Sequence, residues 1–332
     1  MVGFLSRRLA NYVVLLVIAT SVGYLLAAAT LNPRFKYDSA QPRPPEAVIT
    51  KALDDVNMNP EDPGLVRLGR WAKAIVTDFD FGRTLENKSI NEEIGRRIWV
   101  SVRLLLIASI LGSVIGVALG AYSAVNQYRW SDHTITFVSF LVISVPVFVL
   151  GVALKQPAIS FNDTVGTTVF YIQGEYGAGG GGWGWSAIVD RLAHLVIPTV
   201  SLALGLIAVY SRYQRATMLD ILGSDFLRTA RAKGLRRRQA LIKHGLRTAM
   251  IPMATFFSYQ FVLMFIGAIF TEKIFGWHGM GEFFIDSLGD NDISSVAAVV
   301  LFSAVLVLLA GMLADFAYAA LDPRVRTGGK RA

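Results

Sequence analysis

Residues 225–252 read DFLRTARAKGLRRRQALIKHGLRTAMIP, a basic, helix-forming segment set between two long apolar runs. This stretch suits water and a protein partner, whereas everything around it suits lipid. On its two sides lie Leu192–Ser211, with no Asp, Glu, Lys or Arg and only His194 able to carry a positive charge, and Met250–Thr271, which has no charge at all. A helix needs roughly 20 apolar residues to cross the hydrocarbon core. Four further runs meet that length: Leu9–Leu31, Leu104–Val125, Ile135–Leu154 and Val296–Ala314. Only 17% of the 332 residues are charged, against about 25% in a soluble domain. The chain is therefore expected to be an all-α polytopic membrane protein of six transmembrane helices. The first run is read as a retained signal-anchor rather than a cleaved signal peptide. Three regions follow: 1–31 as N-terminal tail and first helix, 32–98 as an extracytoplasmic loop, and 99–332 as the transmembrane domain, with a cytoplasmic loop at 212–249.

Charge sets the expected orientation. Residues 212–249 carry ten cations against two acids, Asp220 and Asp225. Residues 272–295 carry Lys273 against Glu272, Glu282, Asp286, Asp290 and Asp292. Excess Lys and Arg marks the cytoplasmic side. Both termini are then cytoplasmic, in agreement with Arg7, Arg8, Arg324, Arg326, Lys330 and Arg331. The net charge of +8 is explained by this topology, and nucleic acid is not an expected partner.

The outer segments have their own patterns. Residues 32–63 are polar and Pro-rich, with PRPP at 42–45, which predicts extended chain. Leu65, Leu68, Trp71, Ala72 and Ile75 recur at helical spacing and predict a short amphipathic helix on the membrane face. In 155–191 the run Gly177–Gly182, followed by Trp183-Gly184-Trp185, has no strand–glycine–helix frame for phosphate. It reads as a mobile loop with interfacial tryptophans.

Within the spans, Ala108, Gly112, Gly116 and Gly120 fall on one helix face and admit a second helix closely. Static packing is the plainer interpretation, and a face that shifts during transport is the alternative. Ser144 beside Pro146, and Thr255, Ser258, Tyr259 and Gln260 in the fifth span, are polar positions that could bond between helices or line a pathway. No span carries a charge near its centre, unlike most proton-driven pumps; Arg103 and Asp315 lie near span ends, where snorkelling is cheap. The chain lacks cysteine, which excludes disulfides and Cys-based metal sites. It also lacks a GxxxxGK[ST] phosphate loop and any catalytic constellation in a plausible setting. If ATP is used, another chain binds it.

In the basic segment, Ser224 can cap a helix whose positive end Asp225 favours, and Gly234 can end it. Phe226, Ala230 and Gly234 share one face, with Thr229 and Lys233 beside it. Such a helix can dock in a groove while its cations meet carboxylates on the rim. A second helix is expected from Arg237 to Thr248, re-entering the membrane at Ile251-Pro252.

Arg228-Thr229-Ala230-Arg231-Ala232-Lys233-Gly234-Leu235 resembles the EAA-loop motif of ABC importer permeases, in the oligopeptide/dipeptide branch. Ile143-Ser144-Val145-Pro146, Leu195-Val196-Ile197-Pro198, the run from Glu272 to Gly281 (EKIFGWHGMG) and Leu321-Asp322-Pro323-Arg324-Val325-Arg326 are similar to that branch at their expected places. The wider superfamily has Glu six residues before the glycine; here Arg228 stands there, and Asp225 is the nearest acid. The resemblance implies a type I ABC importer permease with a coupling helix formed by Asp225, Phe226, Arg228, Thr229, Ala230, Ala232, Lys233, Gly234 and Leu235. It implies no catalytic residue and no cofactor in this chain. ATP and Mg would sit on two cytoplasmic ATPase subunits, beside a homologous second permease and an extracytoplasmic binding protein. The implied site is the inner membrane and the implied cargo oligo- or dipeptides, with nickel, glutathione or oligosaccharide as alternatives. A secondary transporter or a membrane enzyme are the remaining rivals.

Overall fold

The computed structural model describes residues 2–177 and 184–321, and leaves aside the side chains of 2–8, 237, 254, 255, 258, 262 and 317–321. Ala178, the glycines 179–182 and Trp183, the tail motif 322–326, and the side chain of Thr255 thus lie outside the described residues. The described chain is helical: α1 (Val2–Thr30), α2 (Phe35–Asp38), α3 (Glu46–Asp55), α4 (Gly64–Asp78), α5 (Ile90–Val125), α6 (Trp130–Ser144), α7 (Val147–Val165), α8 (Trp185–Leu222), α9 (Asp225–Ala232), α10 (Arg237–Ala240), a π-helical turn (Leu241–Leu246), α11 (Arg247–Phe275), α12 (Met280–Gly289) and α13 (Ile293–Leu321). In lipid, backbone groups must be satisfied within the segment, so uncharged apolar runs become helices. Four helices, α1, α5, α8 and α13, are long and apolar enough to cross a membrane alone. The bent pairs α6–α7 and α11–α12 raise the count to as many as six.

The chain divides into two compact units, Met1–Val102 with Gly276–Leu308, and Arg103–Phe275 with Leu309–Ala332. In the first, residues 32–63 depart from extended chain. Pro45 (φ −58°) and Pro63 (φ −55°) stand immediately before α3 and α4. Proline's fixed φ and missing N–H suit a helix start, so these prolines begin helices instead of stretching the chain. Helix α4 forms as expected; Leu68, Trp71 and Ile75 of its apolar stripe pack on protein, while Leu65 and Ala72 stay exposed. Trp71 packs against Tyr24 of α1, ring centroids 5.3 Å apart. Both join a buried core with Ile49 and Leu53 of α3 and Ile293, Val296 and Ala297 of α13. Trp71 also donates its indole N–H to Phe81 O at 3.0 Å. Asp292 accepts from the backbone N–H groups of Ser295 and Leu85, both at 2.9 Å, and burial raises its carboxyl pKa above the usual carboxylate range. Trp71→Ala should lower stability by about 3–5 kcal/mol, the usual cost of emptying a large core site. A melting temperature in detergent unchanged by the substitution would show that the outer helices contribute no core.

In the second unit, the third expected span is not straight. α6 and α7 meet at 107° across Val145-Pro146. A residue before proline is pushed out of the helical region; Val145 is extended (φ −101°, ψ 126°), and Pro146 starts α7. Helix α5 begins at Ile90, ahead of Leu104, so the division at residue 98 falls inside a helix. Helix α7 likewise runs on to Val165. The turn that follows is held on several sides. The Asn162 side chain bonds Val169 N, Phe170 N and Phe170 O, and Gly174 N donates to Phe275 O at 2.8 Å. Tyr171 stacks on His194 at 4.1 Å, and Arg103 pairs with Glu175.

Candidate coupling interface

Helix α8 stops at Leu222, and α9 begins at Asp225 after two intervening residues. Ser224 occupies the N-cap position in extended conformation, but it does not cap with its side chain. Its hydroxyl turns back to Ile221 O at 2.6 Å. Asp225 lies in the first turn, where the helix dipole favours an acid; it faces Arg228 at 3.4 Å, with both side chains largely in solvent.

The end of α9 is built around Gly234. Leu235 N donates to Ala230 O (3.3 Å) and Gly234 N to Arg231 O (3.0 Å), the paired bonds of a Schellman motif. Gly234 has φ +90°, a region L side chains rarely enter. No atom lies within 4 Å of the Cβ it lacks, so glycine is required by the backbone and not by crowding inside this chain.

Helix α9 faces two ways. Phe226 is 43% exposed and Leu227 6%. Thr229, Ala232, Lys233 and Gly234 are exposed, while Ala230 and Leu235 are half-buried. The small-residue face therefore looks partly outward, and Leu227 is the anchor. A Cβ at Gly245 would lie 3.6 Å from Leu227 Cδ1 and 3.7 Å from Ile221 Cγ2, ordinary contact distances, so Leu227 packs over the turn that contains Gly245. Sequence reasoning missed both residues; the one leucine among the polar and small residues of α9 was the available signal. The helix expected over Arg237–Thr248 is interrupted: α10 passes through the π-helical turn Leu241–Leu246, which contains Gly245, into α11. π-turns inside helices are frequent at functional sites. Beneath the site, Met218 of α8, Ala249 of α11 and Ala124 of α5 form a small buried core.

The glycine face of α5 meets α8 of the same chain. A Cβ at Gly112 would stand 2.6 Å from Leu206 Cβ, and at Gly116 2.6 Å from Tyr210 Cβ and 3.0 Å from Ile207 O. Gly120 lies against Ser211 O and Gln214, and Ala108 is fully buried. The candidate pathway residues are not gathered into one cavity. Ser144 bonds Leu141 O at 2.7 Å, Pro146 is exposed and Tyr259 is 60% exposed. A cavity of about 190 Å³ beside them is lined by Gln260, Met264, Leu202 and valines of α6, α7 and α8, without Ser144, Pro146 or Tyr259. Among the described residues no cluster of three or more His, Asp or Glu is placed to hold a metal.

Helices of membrane-crossing length, a break at a proline and a short basic helix slung between two of the long ones together define a polytopic transport subunit. The chain belongs to the family of binding-protein-dependent transport system inner membrane components, whose profile matches residues 116–327. It is 48% identical over 326 residues to the oligopeptide transport system permease protein OppB of Mycobacterium tuberculosis, covering 98% of this chain and 99% of that protein. It is 35% identical to the oligopeptide transport system permease protein AppB of Bacillus subtilis, over 80% of this chain and 81% of that one. The glutathione transport system permease protein GsiC of Escherichia coli is 32% identical, over 74% and 75%. An inward-facing structure of the MetNI methionine ABC transporter shares the fold, with a TM-score of 0.54 over 69% of this chain and 96% of that one, at 16% identity. The chain is thus a multi-pass inner-membrane transport component and not an enzyme.

Proposed function

We propose that this chain is the permease subunit of an ATP-driven importer of oligo- or dipeptides. It acts with a homologous second permease, two cytoplasmic ATPase subunits that bind ATP and Mg, and an extracytoplasmic binding protein that delivers the cargo. The near full-length 48% identity to an oligopeptide permease carries this proposal. Both termini and α9 are cytoplasmic, as the charge of 212–249 favours. Helix α9 fits a groove on an ATPase subunit. It is anchored from behind by Leu227, it stops at Gly234, and it offers exposed Phe226, Thr229 and Lys233. Movement of the ATPases shifts α9 as a rigid element and passes into α8 and α11, which changes the side from which the cargo site opens.

The complete transporter in proteoliposomes tests the proposal. ATP-dependent uptake of a labelled peptide pool is expected. Preference for glutathione, nickel or an oligosaccharide over peptides would move the assignment to another cargo; uptake without ATP would remove the importer altogether. Topology has its own check in this cysteine-free chain. Gly180→Cys is expected to label only from outside and Arg237→Cys only from inside; labelling of both from outside would refute the orientation.

A further inference from the structure

Asp132, on the first turn of α6, is 2% exposed and accepts four donors. Arg215 of α8 reaches it twice, Nε to Oδ1 at 2.7 Å and Nη2 to Oδ2 at 2.8 Å. The Ser123 hydroxyl, from the last turn of α5, bonds Oδ1, and Tyr128 N, in the turn between α5 and α6, bonds Oδ2 at 3.0 Å. One carboxylate therefore ties the end of α5, the turn after it and the start of α6 to a single point on α8. Further along the antiparallel α6–α8 seam, Ser139 and Ser211 hydroxyls meet at 3.0 Å, and the Arg212 guanidinium covers the Phe140 ring at 4.0 Å. Helix α8 runs unbroken from Arg215 to Leu222, with two residues between it and α9.

These contacts differ from the α5–α8 glycine face in mechanical kind. Close-packed small residues can slide, because no bond is directional. A bidentate Arg–carboxylate pair resists both shear and rotation, since its two parallel N–H···O bonds must stay aligned. We propose that Asp132 and Arg215 are positioning residues for transport, forming the joint through which displacement of α9, received by α8, is delivered to α6 and so to the break at Pro146. The joint rests on the coupling role proposed for α9. Of the α6–α8 contacts given above, the Asp132–Arg215 pair lies nearest to α9 along α8.

The deciding quantity is the number of peptides imported per ATP hydrolysed, which a purely structural staple would not change. The measurement uses the complete transporter in proteoliposomes with a labelled peptide pool. Asp132→Asn keeps the side-chain shape and loses the charge-assisted fork. ATP hydrolysis stimulated by loaded binding protein is expected to stay within about twofold of wild type, while the import-to-hydrolysis ratio falls about tenfold, within the range for substitutions along a coupling route. Arg215→Lys keeps the positive charge without the fork, and is expected to lower the ratio by a smaller factor. An unchanged ratio in Asp132→Asn overturns the proposal. So does an equal fall in uptake and hydrolysis, which would make the pair simple packing. If Asp132→Asn does not reach the membrane, Arg215→Lys carries the same decision, and an unchanged ratio there overturns the joint. A wild-type complex that shows no ATP-driven uptake would overturn the importer assignment itself, which separates that failure from a failure of the joint alone.

Discussion

Membranes carrying the Gly234→Asp permease are expected to hold it at normal level, to recruit no ATPase subunit and to import nothing. The local cost of the substitution is small: a left-handed backbone costs a non-glycine residue about 1–2 kcal/mol, and Asp tolerates it better than most. Nothing in this chain lies within 4 Å of the new Cβ, so the substitution has no internal clash to propagate into the spans. If α9 docks in a groove of an ATPase subunit, as proposed, the loss arises there, where the substitution brings a carboxylate into the contact. An unpaired charge buried there would cost about 3 kcal/mol or more, roughly a hundredfold in affinity. Pull-down of the ATPase subunits with wild-type and Gly234→Asp permease, alongside uptake in the same membranes, reads the effect. Gly234→Ala adds no charge and should fall between them. Equal recovery of the ATPases with normal uptake would reduce this helix to a basic loop that only marks the inner side.

Gly116→Leu is expected to fail for the opposite reason. Here the space is already taken: the first added carbon would lie 2.6 Å from Tyr210 Cβ and 3.0 Å from the Ile207 carbonyl. A flexible side-chain tip could move aside, but Tyr210 Cβ and a helix carbonyl cannot move without shifting α8. Overpacking of this kind commonly costs about 1–3 kcal/mol, and because α8 leads directly into α9 the displacement should reach the coupling helix. A lower melting temperature together with lost uptake is expected. Gly69→Ala in α4, where nothing lies within 4 Å of the missing Cβ, serves as the control. A permease unaffected by leucine at Gly116 would show that α5 does not pack on α8.

The apolar runs were legible in the sequence because membrane helices satisfy their own backbone and need only length and lack of charge. The glycine stop of α9 was legible for a similar reason: it is a local conformational requirement, seen in residues 225–235 alone. What escaped was everything set by tertiary contact. Pro45 and Pro63 look identical in sequence whether they extend a chain or start a helix, and the choice is made by the core that Ile49, Leu53 and Trp71 enter. Pro146 could be read as a kink within one span; with Val145 extended before it, the helices meet at a 107° break, an angle the proline alone does not specify. Leu227 and Gly245 meet across a turn, and Asp132 and Arg215 stand 83 residues apart. Neither pairing leaves a periodic trace. The unmatched acid in α9 was visible, since Arg228 stands where the wider superfamily has Glu, and its place is taken only by the loose, solvent-exposed contact with Asp225.

The π-helical turn at Leu241–Leu246 has a consequence for how this loop can change length. A π-turn is what an α-helix makes of one surplus residue. Removing a residue from it would restore α-helical winding while leaving the flanking turns intact, and the same deletion within α8 would swing every later side chain by about 100° away from its partners. Deletion of one residue between α9 and α11 is therefore expected to be tolerated, and deletion of one between Arg215 and Leu222 is not.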